Sequence, residues 1–273
     1  MKTLAITGST GKIGYEIVKR LARENYNLIL INRNINKSLS QKEDLLKINP
    51  NINIEIIKAD MSNLDSVFEA IDILKTKKYE YLILCSGIFN EKVYKLDSGY
   101  NNIFTVNFIS QYLIAKSAIK YNRDLIKVVP VSSISYKFAK TNNEDIDYSN
   151  SNKTLKIYGN SKKFLMYSLM DEELVTLAHP GITYSNMTNH FHFLINWFIK
   201  FGMKVVFHSN KKAALNIVKA LDLDVHKGKW VGPRFFDIWG KPKVKKLKIK
   251  YEEDVKIVKE FTLKIDNEFG GKI

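Results

Sequence analysis

Tyr158 and Lys162, in the stretch YGNSK, stand four residues apart. On a helix that spacing sets both side chains on one face, where an ammonium can act on a phenol. A free tyrosine has a pKa of about 10, too high to exchange protons readily near neutrality; a neighbouring positive charge favours the phenolate. Such a pair suits general acid–base work at a substrate oxygen. The same spacing recurs at Tyr15/Lys19, Tyr112/Lys116 and Tyr136/Lys140. Spacing alone therefore selects nothing, and position in the chain has to.

A second chemistry lies at the start of the chain. TGSTGKIG (7–14) carries Gly8, Gly11 and Gly14 between an apolar run and a helical pattern. Glycine lets a backbone turn sharply and approach a pyrophosphate, whose charge then meets the unpaired N–H groups of a helix start. Gly8, Ser9, Thr10, Gly11, Lys12, Ile13 and Gly14 form the expected phosphate loop. The next apolar run ends INRN. A carboxylate there would hold ribose hydroxyls and repel a 2′-phosphate. Neutral Asn32, then Arg33 with Lys12 in the loop, favour NADP(H), with NAD(H) the alternative; Arg33 facing solvent is the plainer reading. Asp60, followed by Met61, ends the third run. It is placed for the adenine amino group; capping the helix at 63–75, which itself opens on an Asn cap signal, is almost as good a reading.

The elements that must position these groups alternate. Strand-like runs at 2–7, 26–32, 52–60, 79–87, 125–133 and 174–181 are separated by helical stretches, including 63–75 and 100–121. This order implies crossover connections and a doubly wound, Rossmann-type α/β fold: a parallel sheet with helices on both faces, in three layers. One nucleotide-binding domain over 1–273 is expected, with a C-terminal helix at about 251–267. Such sheets bind ligands beyond the carboxyl ends of their strands. Tyr15/Lys19 lies behind the phosphate loop, Tyr112/Lys116 is far along its helix, and Tyr136/Lys140 falls in a loop. Only Tyr158/Lys162 stands at the start of a helix after the fifth strand.

At these residues the chain resembles the short-chain dehydrogenase/reductase superfamily. VSS followed 25 residues after Ser133 by YGNSKKF, then AHPGITYSNM and KKAALNIVKALD…GKWVGP, is most similar to its retinol dehydrogenase and protochlorophyllide reductase branch. The resemblance implies Tyr158 as acid/base, Lys162 lowering its pKa, Ser133 polarising a carbonyl, and Asn107 in TVNF supporting a water relay. Ser132 is an alternative to Ser133. It also implies Pro180, Gly181, Ile182 and Ser185 at the nicotinamide, with His179 structural. Where the family carries Asn-Asn-Ala-Gly, Cys85, Ser86 and Gly87 stand here, so local hydrogen bonds must differ. Lys12 replaces a usual glycine. The chain between Lys162 and HPG is short, so either the helix ends early or the strand begins early.

The implied activity is interconversion of a carbonyl and an alcohol on a small molecule. FHFLINWFIKFGMKVVF supplies Phe191, Phe193, Leu194, Trp197, Phe198 and Phe201 where the family builds a substrate lid, at about 186–209, and an apolar lid favours a hydrophobic substrate. A core helix or the contact of a homo-oligomer fits the same residues. A lyase or epimerase with retained nicotinamide, or a non-catalytic NAD(P) sensor, is the alternative function class.

Composition bounds the rest. The single cysteine, Cys85, permits no disulfide framework and points to a reducing, cytoplasmic setting. No stretch is apolar for the roughly 20 residues a membrane helix needs. Net charge is +15, from 43 Lys+Arg against 28 Asp+Glu, yet no nucleic-acid motif accompanies it; KPKVKKLKIK (241–250) reads as a solvated lysine surface. The histidines lack zinc-ligand spacing, and no metal is expected.

Overall fold

A computed structural model of the chain describes residues 1–89, 92–151, 153–183, 209–223 and 228–273. The alternating pattern resolves into β1 (Thr3–Thr7), α1 (Lys12–Arg23), β2 (Asn27–Asn32), α2 (Ile35–Ile48), β3 (Ile54–Lys58), α3 (Leu64–Lys75) and β4 (Tyr81–Leu84). Then come α4 (Asn102–Phe104), a π-helical turn (Thr105–Ile109), α5 (Ser110–Tyr121), β5 (Lys127–Pro130) and a 3₁₀ turn (Ile134–Phe138). α6 (Thr154–Leu169), β6 (Leu177–Ala178), α7 (Asn210–Asp222), β7 (Lys229–Phe235), β8 (Trp239–Lys246) and α8 (Glu252–Phe269) complete the described elements.

Five strands pair in the order β3-β2-β1-β4-β5, all parallel. The order reverses between β1 and β4, which opens a crevice at their carboxyl ends. β6, β7 and β8 form a second sheet. Bridges from Val128 to Val175 and from Val131 to Ala178, both parallel, run from β5 to the β6 segment. β8 is antiparallel to β7, a departure from the all-parallel expectation. The link between them is too short for a crossover, so the chain can only fold back as a hairpin.

Alternate residues of each central strand enter different cores, as the strand period of two requires. Ala5, Leu82, Leu84 and Val128 pack with Phe104, Phe108, Phe164 and Phe261 on one face. Leu4, Ile6, Ile83 and Val129 pack with Ile17, Leu21 and Ile217 on the other. Three elements are thereby held under the crevice: α1 by its apolar stripe, and the α4–π-turn segment and α6 by a cluster of phenylalanine rings 5.0–5.2 Å apart. The C-terminal helix joins this cluster through Phe261. It is pinned to α6 by a buried ion pair, Lys163 Nζ to Asp254 Oδ2 at 2.6 Å.

Two local expectations change. The long helix read at 100–121 is interrupted by the π-helical turn, an inserted widening that places Asn107 in the irregular stretch. The strand read over 174–181 has only Leu177–Ala178 in regular pairing, so the short spacer after Lys162 is absorbed by a short strand. At α3, the cap is Asn63, whose side chain accepts from Ser66 N at 3.0 Å, not Asp60. Asn63→Ala should therefore cost about 1 kcal/mol in a urea titration. A variant as stable as the unaltered chain would show that this cap contributes nothing.

Candidate active site

The phosphate loop is built by close backbone approach. Gly8 has φ +70°, and a Cβ there would come within 2.8 Å of Ser86. A Cβ on Gly14 would meet the Gly8 carbonyl at 2.4 Å. Gly11 N donates back to Gly8 O at 3.1 Å. Ser9 is fully buried; its Oγ donates to Gln41 Oε1 at 2.7 Å and accepts from Asn32 Nδ2 at 2.7 Å. The neutral residue ending β2 thus braces the loop, and its Oδ1 is buried without a hydrogen-bond partner. Thr10, Gly11 and Lys12 are exposed and Ile13 is half-buried. Arg33 is exposed, with Nη1 3.9 Å from Asp60 Oδ2. The other Asp60 oxygen accepts from Ser62 N and Oγ. Met61 is buried, and its carbonyl accepts from Ser110 Oγ at 2.7 Å.

The departure at Cys85-Ser86-Gly87 keeps its anchor. Both Cys85 N and Ser86 N donate to Thr7 Oγ1, at 3.0 and 3.1 Å, and that hydroxyl donates to Gln111 Oε1. A Cβ on Gly87 would meet Asn107 Oδ1 at 3.1 Å and Lys162 Nζ at 3.4 Å, so a larger residue here would press on both side chains. Asn107 is fully buried. It exchanges both polar groups with Ile88, at 2.8 and 2.9 Å, and its second amide hydrogen reaches Ser161 Oγ at 3.1 Å. Gln41, Gln111, Ser161 and Ile88 were not signalled by sequence, because each meets its partner from 19 to 104 residues away.

Ser133, Tyr158 and Lys162 meet at the carboxyl end of β5. Lys162 is buried, and its Nζ donates to Val131 O at 3.0 Å and lies 5.9 Å from the Tyr158 ring centre. Ser133 caps the 3₁₀ turn, its Oγ accepting from Ser135 N and Oγ. Ser132 turns the other way and gives its hydroxyl to Ala178 O at 2.7 Å. Phe89 meets the Tyr158 ring edge-on at 4.9 Å. The other three tyrosines are occupied elsewhere: Tyr15 OH with Asp44, Tyr112 OH with Asp266, and Tyr136 OH with Lys248 O.

Burial governs the protons. It pushes the Tyr158 phenol up to about 12, against an opposing hydrogen bond with Ser133. It pulls the Lys162 ammonium down to about 8, and pushes the Cys85 thiol up to about 11 despite Lys162. In the chain by itself the expected lowering of the tyrosine by Lys162 does not emerge: its own desolvation dominates, and Ser133 alone opposes it.

The family model described as short chain dehydrogenase matches residues 2–190, which includes the glycine loop and the Tyr158/Lys162 helix. The chain belongs to the short-chain dehydrogenases. It is 26% identical to Short-chain dehydrogenase TIC 32 A, chloroplastic, of Brassica napus over 69% of this chain and 66% of that one. It is 25% identical to Retinol dehydrogenase 12 of Mus musculus over 71% of this chain and 65% of that one. The matched stretches thus span slightly under two thirds of these relatives. Its fold is that of a short-chain dehydrogenase from Sphingobium yanoikuyae solved in complex with NADPH: TM-score 0.58, 16% identity, covering 81% of this chain and 84% of that one. The parallel five-stranded sheet with its glycine loop is the Rossmann-type fold of this family.

Of the remaining expected residues, Pro180, Gly181 and Ile182 come just after β6, beyond His179. Gly181 has φ +89°, Ile182 N donates to Ile238 O at 3.2 Å, and Pro180 O accepts from Asn216 Nδ2 at 3.2 Å. His179 is a packing residue: it is buried, stacks on Trp230 at 5.2 Å and hydrogen-bonds Asp237 O at 2.9 Å. Burial lowers it to about 4, so it stays neutral at physiological pH. Ser185 and the lid residues Phe191, Phe193, Leu194, Trp197, Phe198 and Phe201 lie outside the described residues. Among the described residues no acidic, cysteine or histidine cluster forms a metal site, and no helix is long and apolar enough to cross a membrane.

Proposed function

We propose that this chain is an NADP(H)-dependent oxidoreductase that interconverts a carbonyl and an alcohol on a hydrophobic small molecule. One observation carries this reading. Of four tyrosines with a lysine four residues on, only Tyr158 turns its hydroxyl to a serine over a buried ammonium that pairs with no carboxylate among the described residues. The residues also fit a dinucleotide. The glycine loop admits a pyrophosphate, the unpartnered Asn32 Oδ1 lies near the ribose end, and Lys162 has ammonium hydrogens left beyond its bond to Val131. When bound, the nicotinamide supplies or takes the hydride.

In the reductive direction the roles divide as follows. Ser133 donates a hydrogen bond to the substrate oxygen. Tyr158, neutral because burial raises its pKa, gives that oxygen a proton. The Lys162 ammonium, fixed by Val131 O, stabilises the phenolate left behind. Asn107 acts by position: it ties Ile88 to Ser161 and so holds Gly87 against α6. With both amide hydrogens committed, a water relay through its side chain falls to the spare Oδ1 lone pair. The hydrophobic substrate class rests on the composition of 191–201, and a reducing, cytoplasmic compartment on the single cysteine.

Arg33 is the proposed 2′-phosphate contact. It reaches past the crevice with only a distant pairing to Asp60, so a phosphate can take it over. NADPH should bind more tightly than NADH by roughly tenfold, the scale of one charge-assisted hydrogen bond. Arg33→Asp should erase or reverse the preference in a fluorescence titration. Equal affinities in the unaltered protein would sink this assignment.

A panel of aliphatic and cyclic ketones, aldehydes and alcohols, followed at the nicotinamide absorbance, tests the activity itself. Turnover of none of them with either nicotinamide would overturn the reading.

A further inference from the structure

The β7–β8 hairpin exposes more aromatic surface than folding requires. Phe236 is 81% exposed, Phe235 41% and Trp239 40%. The rings of Phe235 and Trp239 lie 4.6 Å apart, and the Arg234 guanidinium sits 5.5 Å from the Phe235 ring centre. Phe236 and Asp237 both take left-handed backbone, φ +50° and +60°. A bulky residue is uncommon there, and a polar one would serve a solvent turn better. Beside the tip, on the 3₁₀ turn, Phe138 is 59% exposed. Lys137 of that turn pairs with Asp237 at 3.1 Å, and Lys245 pairs with the same carboxylate at 2.6 Å. Behind the tip run the lysines of β8 and of the turn after it: Lys241, Lys243, Lys246 and Lys248 are exposed, and among the described residues none pairs with a carboxylate.

We propose that this hairpin tip, with Phe138, is a contact for an anionic lipid bilayer. The rings enter the interface while Arg234 and the β8 lysines meet headgroup phosphates. The tip also adjoins the reacting end of the crevice, since Ile182 N bonds Ile238 O and His179 bonds Asp237 O. A chain seated this way turns its substrate mouth toward the membrane. It would then draw a carbonyl or alcohol dissolved in lipid; that consequence rests on the function proposed above. Charge selects this occupant. A net charge of +15 is drawn to an anionic surface, whereas a second copy would set lysine strand against lysine strand. Single-stranded nucleic acid fits less well, because Phe235 and Trp239 are packed on one another and leave no slot for a base.

The test is cosedimentation of the full chain with vesicles of phosphatidylcholine, alone or mixed with phosphatidylserine. Binding should require phosphatidylserine and weaken as salt rises. Phe236→Ser removes one exposed ring and should lower the partition coefficient roughly tenfold, the scale of burying a phenylalanine. Lys243→Gln, on the neighbouring strand, should lower it roughly fivefold. Tyr158→Phe should partition like the unaltered chain, so loss of the catalytic reading and loss of this one are told apart. Absence of vesicle binding would overturn the proposal. So would binding unchanged by Phe236→Ser, or a dimer in ultracentrifugation that Phe236→Ser converts to monomer.

Discussion

Tyr158→Phe should lower turnover by about 10²–10⁴-fold, the usual worth of a positioned proton donor, while leaving fold and nicotinamide binding intact. The substitution removes one oxygen from a ring that packs against Phe89, so the packing survives. Tyr15→Phe, Tyr112→Phe and Tyr136→Phe are internal controls of the same chemistry. Their hydroxyls bond Asp44, Asp266 and the Lys248 carbonyl rather than Ser133. Each control should cost stability on the scale of about 1 kcal/mol for a lost hydrogen bond, and leave kcat near its starting value. Single-turnover kinetics with NADPH separate the cases. A Tyr158→Phe protein with normal kcat would remove this residue from the chemistry. A loss shared by all four would report damaged folding.

The same four pairs show what was legible in the sequence. Local spacing repeats freely in a chain this rich in lysine and tyrosine, so the decision came from order: strand, glycine loop and helix first, then a polar excursion and the Tyr158 helix. That order also gives the sheet, because crossovers of this length force parallel neighbours. What was not legible depends on partners far away in sequence. Asn32 reads as a missing carboxylate, but in the fold it braces Ser9. The α3 cap, by contrast, is local and legible: Asn63 opens the helix, and its side chain accepts from Ser66 N three residues on. The antiparallel β8 was hidden inside a lysine run that looks like plain surface. It becomes a strand because β7 offers a free edge, and its lysines then guard the new edge against further pairing. Most consequential, the proton balance at Tyr158 could not be read from the pair. Burial acts on both members, and its extent is a property of the whole crevice.

That balance gives the second large effect. Lys162→Met should abolish most turnover yet leave the protein more stable at neutral pH. The folded-state pKa of Lys162 falls from 10.5 to about 8 because burial disfavours the ammonium, equivalent to roughly 3 kcal/mol against folding. The sign follows directly. Between pH 8 and 10.5 the unfolded chain holds this proton and the folded chain does not, so the unaltered protein gains stability as pH rises through that window. Below pH 8 the penalty is present in full. Methionine carries no charge and fills similar volume, but leaves Val131 O without its donor, which returns about 1 kcal/mol. Urea titrations should therefore find the variant more stable by roughly 2 kcal/mol at pH 7, with the advantage fading by pH 10. Activity moves the other way: kcat/KM for carbonyl reduction in the unaltered protein should fall as pH passes about 8, where the ammonium that steadies the Tyr158 phenolate is lost. In Lys162→Met the residual rate should show no such limb. A variant that is less stable at pH 7, with no pH-dependent gap, would mean that the ammonium is solvated or paired in solution. The crevice would then lack the buried charge on which the proposed chemistry depends.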